Sequence, residues 1–203
     1  MNKVALKSAL IALISTIGAL CLAIAVVSLV SPETLAHICD EAGLKRASVY
    51  YYKADYERDS DFYKLADLID SADYADDDET LAYYGEKFVK SQEFKSYCEE
   101  KDGTNPSFKI SSYNYYCYNV VRALYTRKNY KSSAKLAFSM TEKYEKDCPV
   151  SVAVMLALNE NSRSYATEII SLYEENKNKI SDVNGTLKAD IDKLKEKYKE
   201  VIS

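Results

Sequence analysis

The stretch Ser8–Val30, SALIALISTIGALCLAIAVVSLV, carries no charged residue and no proline, and Gly18 is its one glycine. At 1.5 Å per residue it makes a helix about 34 Å long. That is enough to span a hydrocarbon core about 30 Å thick. A cleaved signal peptide has a shorter apolar region, roughly 7–15 residues. The run therefore predicts a retained signal-anchor, a transmembrane helix over 8–30 behind a tail of residues 1–7. A small-x-small cleavage signal, Ala23-Ile24-Ala25, lies inside the run, and cutting there leaves Val26–Val30 as an apolar new terminus. A cleaved, secreted product is the alternative. Cys21 follows Leu20, where a lipoprotein signal needs a small residue. Lys3 and Lys7 flank the run on one side, whereas Ser31–Leu44 has Glu33, Asp40 and Glu41 and no Lys or Arg. Basic flanks stay on the cytoplasmic side. The expected topology is a cytoplasmic N-terminus and an extracytoplasmic C-terminal domain, with the lipid bilayer as the partner of residues 8–30.

All 31 acidic residues follow the anchor, with 25 of the 27 Lys and Arg, so the domain's net charge is 25 − 31 = −6. Nucleic-acid binding needs a basic footprint, so this balance argues against it. Few glycines and prolines and long Lys/Glu/Asp/Ala/Leu-rich stretches predict an all-α fold. The chain has 19 tyrosines and no tryptophan. Tyrosine buries a large ring and keeps a polar tip, so it suits core, groove or interface alike.

Ser31-Pro32-Glu33 reads as a helix start, and the juxtamembrane helix over 31–45 is broken near Gly43. Helices follow over Ala47–Arg58 and Phe62–Ala75, separated by the turn Asp59-Ser60-Asp61. Asp78 is the expected cap of a helix over Glu79–Lys90. A short helix over Glu93–Lys101 ends at the breaker Asp102-Gly103-Thr104-Asn105-Pro106. Ser112–Arg127 and Tyr130–Lys146 form a third pair, closed by Cys148-Pro149. Val150–Leu158 and Arg163–Ile180 form a fourth, with the turn Asn159–Ser162 between them. After a turn at Asn184-Gly185, Thr186 is the expected cap of a last helix over 186–203. Its stripe Leu187, Ile191, Leu194, Tyr198 and Val201 faces the preceding pair.

These pairs resemble the tetratricopeptide repeat. Val49, Tyr52 and Tyr56 occupy the large, apolar and aromatic positions of a first helix. Asp61-Phe62, Ile69 and Ala72 occupy those of a second. Lys53, Leu65 and Asp77 depart from the pattern. Leu81, Tyr84, Gly85 and Phe88 repeat it one unit on, and Ala134 and Phe138 supply the small and large sites of the third pair. The residues that close the first helices are Tyr56, Phe88, Leu124 and Leu158, at gaps of 32, 36 and 34, close to the family's 34-residue period. The resemblance implies an α-solenoid of helix pairs over 46–181 with a C-terminal capping helix. It also implies a peptide-binding groove lined by the first helices. Carried over residue by residue, the groove holds Tyr50, Ala54 and Glu57, then Ala82, Glu86 and Lys90, then Tyr118, Arg122 and Tyr125. An irregular helical bundle is the alternative.

Catalytic groupings are lacking. His37 is the only histidine, and in a helix Cys39 points away from the face that His37 shares with Glu41. Asp76-Asp77-Asp78-Glu79 lacks the glycine and distal glutamate of a calcium loop. There is no GxSxG, CxxC or phosphate-cradling glycine loop, so no enzyme activity, metal or cofactor is expected. Cys98 and Cys117 fall in neighbouring units and are the candidate disulfide; the alternative is buried thiols acting as small hydrophobes. The expected function is a membrane-anchored adaptor that binds a protein or peptide. The alternatives are a structural subunit packed through Ser15, Gly18, Ala19 and Ala23, or a secreted helical domain.

Overall fold

A computed structural model describes residues 3–104, 110–160, 162–182 and 184–199, with side chains from Lys7 onward. The described residues form eleven helices: α1 Lys3–Val30, α2 Pro32–Glu41, α3 Lys45–Asp59, α4 Phe62–Tyr74, α5 Asp78–Val89, α6 Phe94–Thr104, α7 Ser112–Thr126, α8 Tyr130–Ser139, α9 Pro149–Asn159, α10 Arg163–Asn176 and α11 Thr186–Lys197. Among them no β-strand occurs, only a single bridge between Lys143 and Ser181. The chain is all-α, and it divides into two compact units after Ala75.

In the first unit α1 is long and apolar enough to cross a membrane over Lys7–Val30, and none of that span is buried against the rest of the protein. Two of its hydroxyls bond within the helix: Thr16 Oγ1 donates to the Ala12 carbonyl at 2.9 Å and Ser28 Oγ to Ala25 at 2.8 Å. Helix α1 starts at Lys3, inside the expected tail. Helix α2 has proline in its first turn, and Gly43 (φ +69°) supplies the left-handed residue after it. Helices α3 and α4 pack as an antiparallel pair. Ser60 takes φ 53° at the end of α3, and the Asp61 carboxylate caps α4 by accepting from the Tyr63 and Lys64 amides. Val49, Tyr52, Tyr56, Leu65, Ile69 and Ala72 fill the core between them. Two polar ties cross that core. Ser48 Oγ and Ser71 Oγ lie 2.9 Å apart. Asp55, only 1% exposed, is held by Arg58 at 3.0 Å and Lys64 at 3.1 Å. A buried carboxylate without such partners is strongly destabilising.

In the second unit α5 packs on α7, α7 on α9 and α9 on α11, while α8 packs on α7, α9 and α10. Leu81, Tyr84, Phe88 and Leu124 are buried, as are Ala134, Phe138, Leu187, Ile191 and Leu194. Several boundaries differ from expectation. Asp77, rather than Asp78, caps α5, accepting from the Glu79 and Thr80 amides at 3.1 Å. Helix α6 runs through Gly103 to Thr104, because one glycine near a helix end costs only about 1 kcal/mol. Asp102 turns to the next element, accepting from the Ser112 amide at 2.8 Å and its hydroxyl at 2.6 Å. Asn105 and Pro106, the rest of the expected breaker, lie outside the described residues, as do Asn161 and Val201.

Helix α8 stops at Ser139 and α10 at Asn176, both short of expectation, because their following segments pair with each other. The Tyr144 amide donates to Ser181 O and the Ser181 amide to Glu142 O, each at 2.9 Å. Cys148 opens α9 rather than closing what precedes it: its sulfur accepts from the Ser151 amide. Gly185 (φ 67°), not Thr186, stands before α11.

Gly85 sets how closely α5 approaches α7. A Cβ there meets Val120 Cγ2 at 2.5 Å and Cγ1 at 3.0 Å. Valine is stiff at χ1, so the clash cannot be relieved by rotation alone. Gly85→Ala should lower stability by about 1–2 kcal/mol, overpacking outweighing the gain in helix propensity. In a Val120→Ala background the same change should cost less, which urea denaturation of the four-member cycle measures.

Candidate functional site

Helix α7 carries SYNYYCYNVVRALYT. Tyr116, Cys117, Val120, Val121, Ala123 and Leu124 form its buried stripe. Ser112 and Asn119 are buried as well, and at 100° per residue the other positions turn outward. Tyr118 and Arg122 stand one turn apart there, both half-buried. The Arg122 guanidinium carbon lies 5.9 Å from the Tyr118 ring centroid, a cation–π distance. Among the described residues Arg122 makes no ion pair, and its buried Nε has no hydrogen-bond partner. The Asn119 side chain, 5% exposed, has the same defect at Nδ2.

Tyr118 also lines a groove of about 350 Å³ with Ile110, Tyr115, Asp147 and Met155. Ile110, Tyr115 and Met155 are 36%, 41% and 44% exposed. Helix α9 is apolar nearly all round, so its sequence has no polar face to show that Met155 points out. Ile110 and Asp147 are loop residues whose approach to α7 depends on the tertiary fold.

The other expected groove residues divide between the units. Tyr50 is 67% exposed, its ring edge-on to Tyr51 at 5.3 Å. Ala54 is half-buried, and Glu57 is exposed 3.9 Å from Lys53. In the second unit Glu86 and Lys90 pair with each other at 2.6 Å, beside the half-buried Ala82. Tyr125 turns into an aromatic cluster, 5.3 Å from Tyr130 and 4.8 Å from Tyr165. The geometry thus joins Tyr118 to Arg122 and Glu86 to Lys90, and draws Tyr125 toward the interior.

Cys98 and Cys117 are both buried, and neither is in a disulfide among the described residues. Burial, then the neighbouring Cys98, raises the Cys117 thiol well above its ordinary range. His37 ties α2 to α3: its Nδ1 lies 3.1 Å from the Tyr52 hydroxyl and its Nε2 3.7 Å from Glu33. Among the described residues no three His, Cys, Asp or Glu side chains are placed to hold a metal ion.

The fold and these sites define an all-helical protein with one helix long and apolar enough to cross a membrane. Compared with protein-family models, curated proteins and solved structures, the chain matches none.

Buried tyrosines set a pH limit on this architecture. Burial pushes Tyr113 up to about 12 from its ordinary 10.0. Tyr165 is also raised by burial, and Tyr144 by burial and its 2.8 Å bond to Asp190. A folded-state value above the unfolded one means that the folded chain holds its proton more tightly. The stabilisation is complete below pH 10 and is lost as pH rises toward the folded value. Unfolding free energy should fall by roughly 1 kcal/mol or more per unit between pH 10 and 12. Urea titrations should show a shallower fall in Tyr113→Phe. Equal slopes in the two proteins would contradict this assignment.

Proposed function

We propose that the chain is a single-pass membrane-anchored adaptor: α1 holds a helical binding domain at the extracytoplasmic surface, and that domain binds a protein partner through tyrosine-rich surface. The observation that carries this reading is the uncovered apolar span of α1 joined to a domain whose exposed large side chains are mostly tyrosines. Tyr50, Tyr63, Tyr74 and Tyr83 are each more than half exposed. Tyrosine is among the residues that most often dominate binding interfaces.

The packing of α5, α7, α9 and α11 in succession supports a tetratricopeptide-like array, in which those helices share one face. Lys3 and Lys7 before the span, against the acidic Ser31–Leu44 after it, support a cytoplasmic N-terminus. The internally bonded Thr16 and Ser28 need no neighbouring helix to satisfy them. This favours a passive anchor over a subunit packed through Ser15, Gly18, Ala19 and Ala23.

Replacing residues 8–30 with an unrelated single-span anchor separates the two. After crosslinking in native membranes, the adaptor reading expects the same partner to co-purify with the native and the swapped protein. Loss of the partner on swapping, with the protein still in the membrane, would establish packing through α1 instead.

A further inference from the structure

We infer that the end of the first unit beside Val30 rests on the bilayer, with Phe62 and Tyr63 of the α3–α4 turn set among the headgroups of zwitterionic phospholipid. This rests on the anchor reading of α1 and adds a second contact with the same bilayer. Hydrogen bonds give the direction of each helix in the unit. Val30 meets Arg58 and His37 meets Tyr52, so α3 runs back along α2. Ser48 meets Ser71 and Lys45 meets Tyr74, so α4 runs back along α3. The end of α1, the start of α2, the end of α3 and the start of α4 therefore share one end of the unit. The start of α3 and the end of α4 share the other.

Arg58 makes the join. The last carbonyls of a helix have no partner inside it, and Val30 closes the apolar span. Arg58 Nη1 donates to the Val30 carbonyl at 3.0 Å, and its Nη2 donates to Asp55 at 3.0 Å. A cation there also suits the negative end of α1. With α1 across a bilayer, Val30 stands where the hydrocarbon ends, and Arg58 fastens the α3–α4 turn beside it. The left-handed Ser60 folds the chain back at once, so Phe62 and Tyr63 stay at this end. Tyr63 is 61% exposed and Phe62 half-buried, their rings edge-on at 5.6 Å. A tyrosine ring with its polar tip suits the boundary between lipid and water. The lipid around α1 is thus continuous with what meets the turn. The charges choose the headgroup. Asp55 and Asp59 take Arg58 and Lys64, and the Asp61 carboxylate accepts from the Tyr63 and Lys64 amides. With Glu33, the acids at this end outnumber those two bases. They repel an anionic headgroup and favour the outer ammonium of a choline or ethanolamine.

The chain has no tryptophan, so a single tryptophan put in by substitution reports its own surroundings by fluorescence. Full-length protein in phosphatidylcholine vesicles, with and without bromine on the upper part of the acyl chains, tests the contact. The Tyr63→Trp protein should emit at shorter wavelength than the Tyr74→Trp protein and lose more of its intensity to brominated lipid. Tyr74, also exposed, lies at the other end of α4, about 16 Å along the helix. Both side chains are on the surface, so neither replacement disturbs the core. The Leu22→Trp protein, with its reporter inside the span, should be quenched most strongly and reads insertion of α1 alone. Replacing part of the lipid by phosphatidylglycerol at constant bromine should weaken the quenching of Tyr63→Trp. Quenching of Leu22→Trp without quenching of Tyr63→Trp would reject the contact and leave the anchor standing. Equal quenching of Tyr63→Trp and Tyr74→Trp would reject the assignment to this end of the unit. Absence of quenching in Leu22→Trp would reject anchor and contact together. Quenching of Tyr63→Trp that phosphatidylglycerol strengthens or leaves unchanged would overturn the choice of headgroup.

Discussion

An apolar rod that the described residues leave uncovered is the constraint on which the rest of this chain depends. Residues Lys7–Val30 form one continuous helix whose side chains are all outside the core. Burying a single large aliphatic side chain is worth about 1.5–3 kcal/mol. Leaving the eleven exposed ones in water would outweigh the whole stability of a typical domain, about 5–15 kcal/mol. A bilayer removes that penalty, and a helix is the form in which a lone segment can enter it with every backbone group bonded. The span is long and apolar enough to cross a membrane, and the adaptor we propose presents the surface of the domain that follows it.

That surface is built by polar and aromatic ties laid over ordinary helix packing. In the first unit Asp55 is buried only because Arg58 and Lys64 reach it, which fixes α3 against α4 in one register. In the second unit Phe88, Phe94 and Tyr116 meet edge-to-face and Tyr113 lies tilted against Phe94, with centroids 5.1–6.2 Å apart. Such pairs add to simple area burial. Ser133 Oγ donates to the Val121 carbonyl and so accepts from the Tyr165 hydroxyl, both at 2.8 Å. Tyr52, Tyr113, Tyr144 and Tyr165 each go inward with a partner for the hydroxyl, whereas Tyr50, Tyr74 and Tyr83 stay more than half exposed.

Local chemistry made much of this legible before any coordinates. The turn at Ser60 and the break at Gly43 follow from short-range rules, whereas the acidic start of α4 at Asp61 and the positions of Tyr56, Phe88 and Leu124 come from the tetratricopeptide pattern that the sequence resembles. Gly85 is small because Val120 occupies the space its side chain would need. What escaped was non-local. The ends of α8 and α10 are set by the pairing of residues 142–144 with Ser181, some forty residues apart in the chain, and no propensity encodes that. Of the residues that line the groove, Tyr118 is one that the tetratricopeptide resemblance implies. Ile110, Asp147 and Met155 are not, because their convergence depends on how α7 and α9 pack. The missing acceptors of Asn119 and Arg122 are likewise visible only when every buried donor is followed to its partner.

Anchoring and orientation are tested together by the exposed sequon Asn184-Gly185-Thr186. In a host that N-glycosylates its secretory lumen, the full chain should pellet with membranes after alkaline carbonate extraction, retain residues 8–30 by mass spectrometry, and carry a glycan that Asn184→Gln removes. A carbonate-soluble chain, or one with its mature N-terminus beyond Val30, would contradict the anchor. An unglycosylated membrane-bound chain would contradict the orientation.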